Sequence, residues 1–183
     1  KEVLKWPDIT EVPHKKLCEF IEQNTNKKLL VLMPRGHLKS TVVTVGFSCQ
    51  QIAKNPNIRI LIASDTATMA EAFLKQIKDI LGKNESYREL YGDYTFKAPQ
   101  WSNSMITVGG LKRSYEKKEA TITAYGLGGQ LVSQHYDIII LDDVVNRDNT
   151  NTKELIDKTF SSYKDLLSLL EPQGCLIILG TRW

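Results

Sequence analysis

Short runs of large aliphatic residues recur along the chain, and all but the last are followed by a stretch whose apolar side chains fall at helical spacing. The runs are Leu29–Met33, Arg59–Ser64, Ile138–Leu141 and Cys175–Leu179. Unbroken aliphatic segments of this length, bounded by polar or turn residues, are the pattern of strands buried on both faces. Between them the spacing predicts a helix from about His14 to Thr25 and another from Lys39 to about Lys54, ended by the Pro56 turn. A third helix, capped within Asp65-Thr-Ala-Thr68, is expected to run to about Leu81 and stop at Gly82, and a fourth spans about Lys153 to Leu170. Strand–helix–strand alternation implies parallel pairing with right-handed crossovers, hence an α/β fold with a mostly parallel sheet and helices on both faces. From about Asn84 to Gln134 the pattern is less regular, with a short helix at Tyr87–Tyr91 and strands at Ser104–Val108 and Ala120–Tyr125. No internal repeat or low-complexity tract interrupts the chain.

Composition narrows the class without naming a function. At 183 residues, 42% hydrophobic and 25% charged, the chain fits one globular domain. Cys18, Cys49 and Cys175 are odd in number, widely spaced and free of any C-x-x-C, so they read as reduced, buried thiols rather than a disulfide framework or zinc site. The apolar runs are too short to cross a membrane and no secretory leader pattern opens the chain, which is the profile of a cytosolic domain. A net charge of +3, spread along the chain, does not by itself establish nucleic-acid binding. The start at Lys1 and the stop at Trp183, directly after a strand, lead to the expectation that a further domain lies downstream.

Candidate chemistry begins at Leu29-Leu-Val-Leu-Met-Pro-Arg-Gly-His-Leu-Lys-Ser-Thr41, an apolar strand that runs through a short turn into Lys-Ser-Thr at a helix start. A P-loop has this layout: the lysine reaches the β- and γ-phosphates, the next hydroxyl binds Mg²⁺, and helix N-terminal N–H groups face the anion. The match is deviant. The two glycines of G-x-x-x-x-G-K-[ST] fall on Met33 and Leu38, and Gly36 alone remains to supply a positive φ. Taken alone, the segment is as compatible with an ordinary lysine in a β-to-α turn.

The run Tyr136-Asp-Ile-Ile-Ile-Leu-Asp142-Asp143 changes the balance, because its two carboxylates emerge where an open α/β sheet binds ligands. Asp142 would hold Mg²⁺ through water beside a direct Ser40 ligand, and Asp143 would orient and deprotonate the attacking water. The next strand ends in Gly180-Thr181-Arg182, placed to touch a γ-phosphate and pass its state onward. This order is that of a RecA-like, additional-strand P-loop NTPase.

Pro34-Arg-Gly-His-Leu-Lys-Ser-Thr41, Gly126-Leu-Gly-Gly-Gln-Leu131, Asp137-Ile-Ile-Ile-Leu-Asp-Asp143 and Leu179-Gly-Thr-Arg-Trp183 together resemble the ATPase domain of the large terminase subunit of tailed bacteriophages, a DNA-packaging motor. The resemblance spans the chain, with residues 1–27 as an adenine-side lead-in and residues 28–183 as the NTPase core. It implies Mg²⁺-dependent ATP hydrolysis that drives double-stranded DNA into a procapsid, by a homo-oligomeric ring docked on the portal protein and served by the small terminase subunit in the host cytoplasm. An isolated domain would then be monomeric, and the family carries an RNase H-like nuclease domain after this region. By the same resemblance Pro34, Arg35, Gly36, His37, Leu38, Lys39, Ser40 and Thr41 form the phosphate loop, Thr41 toward the α-phosphate side, with Arg35 as a cis-acting sensor of the γ-phosphate. Asp142 and Asp143 are the acidic pair, Gly180, Thr181 and Arg182 the coupling motif, and His14 lies in the adenine-binding region.

One position departs from that family. Many related sequences carry an arginine shortly before the acidic strand, where Gln134 stands here. Arg113, in the basic loop with Lys112, Lys117 and Lys118, and Arg147, just after the acidic pair, are the candidates for a trans-acting or DNA-contacting residue. A helicase-like or remodelling ATPase and a non-hydrolysing nucleotide-binding module remain alternatives on the sequence, the latter because both loop glycines are missing and Asp143 stands in place of the more usual glutamate.

Overall fold

The computed structural model describes residues 3–110, 117–129, 131 and 133–182. A helical turn, Glu11–Lys15, leads into α1 (Lys16–Glu22), and strand β1 (Lys28–Met33) follows. The helix after β1 starts at Lys39, passes through a wide π-type turn over Thr41–Phe47 and continues as α2 (Ser48–Lys54). Then come β2 (Ile60–Ser64), α3 (Ala67–Lys83) and α4 (Glu85–Tyr91). The remaining elements are β3 (Gln100–Trp101), β4 (Met105–Thr107), β5 (Ile122–Gly126), β6 (Tyr136–Asp142), α5 (Lys153–Ser168) and β7 (Leu170–Thr181).

The strands form one seven-stranded sheet in the order β1-β7-β6-β2-β5-β4-β3. All neighbours are parallel except β3 with β4 and β4 with β5, which add an antiparallel flank. This is the expected α/β, RecA-like arrangement: β7 is the additional strand, inserted between the strand that leads to Lys39 and the strand that ends in Asp142.

Each aliphatic run is explained by the two faces it serves. Ile60, Ile62, Ile138, Ile140, Cys175, Ile177 and Leu179 enter one core with residues of α2 and α3, whereas Leu61, Ala63, Ile139, Leu141 and Leu176 enter the other beneath α5. Side chains alternate across a strand, so a strand covered on both faces has no polar positions to spare. Edge strand β1 is the exception: Leu29, Val31 and Met33 are buried while Leu30 and Leu32 on its other face are exposed.

Several boundaries differ from the sequence expectation. The first helix ends at Glu22 rather than near Thr25, with the next residues turning toward β1. Helix α3 passes through Gly82 to Lys83, because Asn84 both ends α3 and caps α4 by accepting the Tyr87 N–H. Its start is capped by Thr66, inside the expected segment. Strand β3 has too little hydrophobic pattern to be seen in the sequence. Cys49 and Cys175 are buried as expected, but Cys18 is exposed. Among the described residues no helix is long and apolar enough to cross a membrane.

At the amino ends of the parallel strands, Arg59 is buried beneath a carboxylate cluster. Its guanidinium donates to Asp137 at 2.7 and 3.1 Å and to Glu171 at 2.6 Å, with Glu119 at 3.7 Å. Lys117 approaches Asp137 at 3.6 Å. Burial alone would raise the Asp137 carboxyl, but the bonds and charge of Arg59, aided by Lys117, hold it below the usual carboxylate range.

Candidate active site

The carboxyl ends of β1, β6 and β7 meet at the opposite edge, and there the polar residues of three distant segments converge. Lys39, buried to 9% exposure at the start of its helix, donates to Asp143 Oδ2 at 2.6 Å and to Thr181 Oγ1 at 3.1 Å. The Thr181 hydroxyl donates in turn to Asp143 Oδ1 at 3.2 Å. Backbone pairing fixes the frame, since Asp143 N–H donates to Leu179 O and Arg182 N–H to Met33 O.

Beside this triangle lies a second set around Asp142, which is 1% exposed. Ser40 donates to its Oδ1 at 2.9 Å, Thr44 donates to its Oδ2 at 2.5 Å, and Ser64 donates to its main-chain oxygen at 2.9 Å. Burial pushes the Asp142 carboxyl above its usual range, and the neighbouring Asp143 adds to that shift; Thr44, Ser40 and the charge of Lys39 oppose it. A cation at this carboxylate would relieve the same penalty.

The loop between β1 and Lys39 reaches its shape without the expected glycines. Gly36 has φ +80°, as only the 36th position in the loop was expected to allow, but Leu38 also lies in the left-handed region at +52°. A residue with a Cβ pays on the order of 1 kcal/mol or more for that conformation. Asp143 shares it, at φ +47°, so strained backbone flanks the lysine–carboxylate contact on both sides.

The lead-in segment is tied to this loop. Thr10 N–H donates to His14 Nδ1 at 3.0 Å, so the ring proton is on Nε2, which donates to His37 O at 3.1 Å. Both nitrogens of the buried His14 are thereby committed to backbone groups, and its ring braces the loop from behind. His37 Nδ1 donates to Arg35 O at 3.2 Å, while Pro34, Arg35 and His37 are exposed at the loop surface and Thr41 lies in the first helical turn.

The structure brings together Lys39, Ser40, Asp142, Asp143 and Thr181, with Gly180 and Arg182 on either side of Thr181. Arg147 is exposed on the same edge, in a loop held by reciprocal bonds between Asn146 and Asn149 and by Asn149 to Asp65. Gln134 is far from it: it precedes β6, accepts the Tyr136 hydroxyl, and is separated from Asp142 by the whole strand, roughly 25 Å at strand rise. Arg113, Lys112, Gln130 and Trp183 fall outside the described residues. At the end of β5, where the glycine-rich segment begins, a Cβ on Gly126 would stand 2.3 Å from Ala67 N, so only glycine lets β5 pass the start of α3. Sequence reading missed Thr44, hidden among the valines of Val42-Val-Thr-Val45; its signal is a hydroxyl one turn beyond Ser40.

Lysine, hydroxyl and carboxylates placed across an intervening parallel strand define the additional-strand P-loop fold. No family model matches the chain. It is 28% identical over 172 residues to the terminase large subunit of Enterobacteria phage T3, an alignment that covers 90% of this chain and 27% of that protein's length. Among solved structures it matches an arginine-to-alanine mutant of the large terminase ATPase domain of Thermus phage P74-26, with a TM-score of 0.51 and 19% identity over 90% of this chain and 64% of the other. The resemblance to a phage large terminase drawn from the motifs is thus present in sequence along most of the chain, and the fold agrees.

Proposed function

We propose that this chain hydrolyses ATP with Mg²⁺ and serves as the ATPase part of a motor that moves viral double-stranded DNA into a procapsid. The observation that carries the reading is the convergence of Lys39, Asp143 and Thr181, three segments brought within hydrogen-bond distance at one sheet edge. An ammonium has three donors, of which Asp143 and Thr181 take two, leaving one for a phosphate oxygen. Asp143 is half-exposed and stands where it can orient a water and accept its proton. Thr181 touches both groups, so it feels any change in either.

The donor set suits Mg²⁺. Ser40 Oγ and the Asp142 carboxylate are hard oxygen groups, the first suited to bind the cation directly and the second to hold it through water, and among the described residues no group of three or more His, Cys, Asp or Glu converges to hold a metal alone. A small cation bound by one or two protein oxygens and completed by substrate phosphates is the usual Mg²⁺ arrangement. Bound there, Mg²⁺ would neutralise charge on the phosphates. Ser40 already directs its proton to Asp142, which leaves its lone pairs for a ligand bond.

The coupling to DNA rests on the likeness to the phage T3 terminase large subunit. A ring on the portal protein, with the small terminase subunit as partner, is part of the same proposal and is supported by the family resemblance of the motifs; contacts chiefly to DNA phosphates would make DNA binding strongly salt-dependent. The test is ATP turnover and nucleotide binding in wild type, Lys39→Ala and Asp143→Asn. Loss of binding in the first, and loss of turnover with binding kept in the second, is the expected result. Equal, undetectable turnover in all three overturns hydrolysis.

A further inference from the structure

Thr44 has no place in the chemistry above, yet its side chain is fully buried and its hydroxyl is directed at a carboxylate. We propose that Thr44 is the positioning residue for the metal-binding carboxylate: it fixes one oxygen of Asp142 so that the other faces Ser40 and the incoming cation. The proposal rests on the reading of Asp142 and Ser40 as the Mg²⁺ site.

Ser40 and Thr44 lie four apart on one helix and therefore on one face, stacked along the side of Asp142. They divide the carboxylate between them, Ser40 at Oδ1 and Thr44 at Oδ2. The torsion that turns an aspartate carboxylate is broad and weakly preferred, so a single hydrogen bond leaves the group free to rock. A second bond, from the opposite side, removes that freedom. Thr44 is too deep to reach a cation itself, and its contribution passes through Asp142.

The neighbouring turn shows that a buried hydroxyl on this face does not acquire a partner by default. Ser48, four residues further along and equally buried, has no hydrogen-bond partner for its Oγ among the described residues. A helical threonine can also bond the carbonyl one turn back, but the Thr44 proton goes to Asp142. Groups that orient metal ligands in this way change metal affinity when removed, by about 10- to 100-fold.

The test measures Mn²⁺ binding by electron paramagnetic resonance in the presence of a non-hydrolysable ATP analogue, using the chain as it stands. Variants are Thr44→Val, Thr44→Ser and, as a control, Ser64→Ala, which removes the bond to the main-chain oxygen of Asp142 but leaves its carboxylate untouched. Thr44→Val is expected to weaken Mn²⁺ binding by about tenfold or more, with metal-free nucleotide affinity within about twofold of wild type, while Thr44→Ser and Ser64→Ala stay within about threefold. Unchanged Mn²⁺ affinity in Thr44→Val, or an equal loss in Thr44→Ser or Ser64→Ala, overturns the proposal and leaves the ATPase reading standing. Failure of wild type to bind Mn²⁺ with the analogue removes both. Melting curves precede the titrations, and if Thr44→Val does not fold, Thr44→Ala is judged by the same limits.

Discussion

Lys39 and Asp143, 104 residues apart in the chain, are joined by a 2.6 Å hydrogen-bonded ion pair at the carboxyl edge of the sheet. If they work as one unit in turnover, their mutational effects do not add. Asp143→Asn is expected to lower kcat by about 10²- to 10⁴-fold, the usual contribution of a positioned base. The double variant with Lys39→Ala should be no slower than Lys39→Ala alone; steady-state hydrolysis of the full cycle checks this, and simple additivity would show that the pair acts separately.

Thr181 links the same two groups and belongs to the strand between them. Replacing it by valine removes a bond to a charged group at each end, worth about 1.5–3 kcal/mol. The expected outcome is a kcat reduced by about 10- to 100-fold with KM little changed, as for an interaction made mainly during turnover. A change confined to KM would place Thr181 in ground-state binding instead.

Leu38 offers a test of backbone strain that needs no ligand. At φ +52° glycine is favoured over any residue with a Cβ, whereas alanine removes the leucine side chain without relieving the strain. Leu38→Gly should therefore be more stable than Leu38→Ala by about 1 kcal/mol, or about 2–4 °C in Tm for a domain of this size. Thermal melts of the two variants decide it, and the reverse order would mean that side-chain packing of residue 38 outweighs its conformation.

The Arg59 cluster gives the pH prediction. Asp137 has a carboxyl held below its unfolded value, so its stabilisation is complete above about pH 4 and is lost as pH falls through the lower folded value. Arg59→Met leaves Asp137, Glu171 and Glu119 without their shared cation. Breaking a buried pair costs about 3–5 kcal/mol, and because Asp137 and Glu171 are 30% and 35% exposed the loss here should be nearer about 2–3 kcal/mol. Melts from pH 3.5 to 7 should show the deficit widest near neutrality and shrinking below about pH 4, where the carboxylates protonate.

The sheet and its acidic strand end were legible because aliphatic runs such as Ile138–Leu141 admit no other placement in a small α/β domain. The additional strand could be inferred from the order of motifs, and β7 occupies that position. Other features depended on contacts no local pattern encodes. Asn84 serving two helices let α3 override Gly82, and a two-residue β3 is specified only by its partner β4. At the site, the types at Lys39, Ser40, Asp142 and Asp143 announced themselves, but a threonine in a valine run gives no hint that it turns toward a carboxylate. His14 is legible only as part of the adenine-binding region that the family resemblance implies; that its two nitrogens are spent on the main chain of Thr10 and of His37 is a tertiary fact.

The carboxyl half of β7 is bonded to β1 over Leu176–Thr181 on one side and to β6 over Cys175–Leu179 on the other, with backbone bonds that continue past the strand ends at Arg182 and Asp143. The floor of the site is therefore a single stiff plate, and the loop before Lys39 cannot part from Asp142 and Asp143 without tearing one of the two ladders. Chemical change at this edge has to be expressed by the parts above the plate: the loop tip, the left-handed turn at Asp143 and the chain leaving Thr181. Under the proposed motor function, such a base would serve as the fixed anvil of a clamp, with force delivered by short jaws and amplified by whatever is attached beyond them.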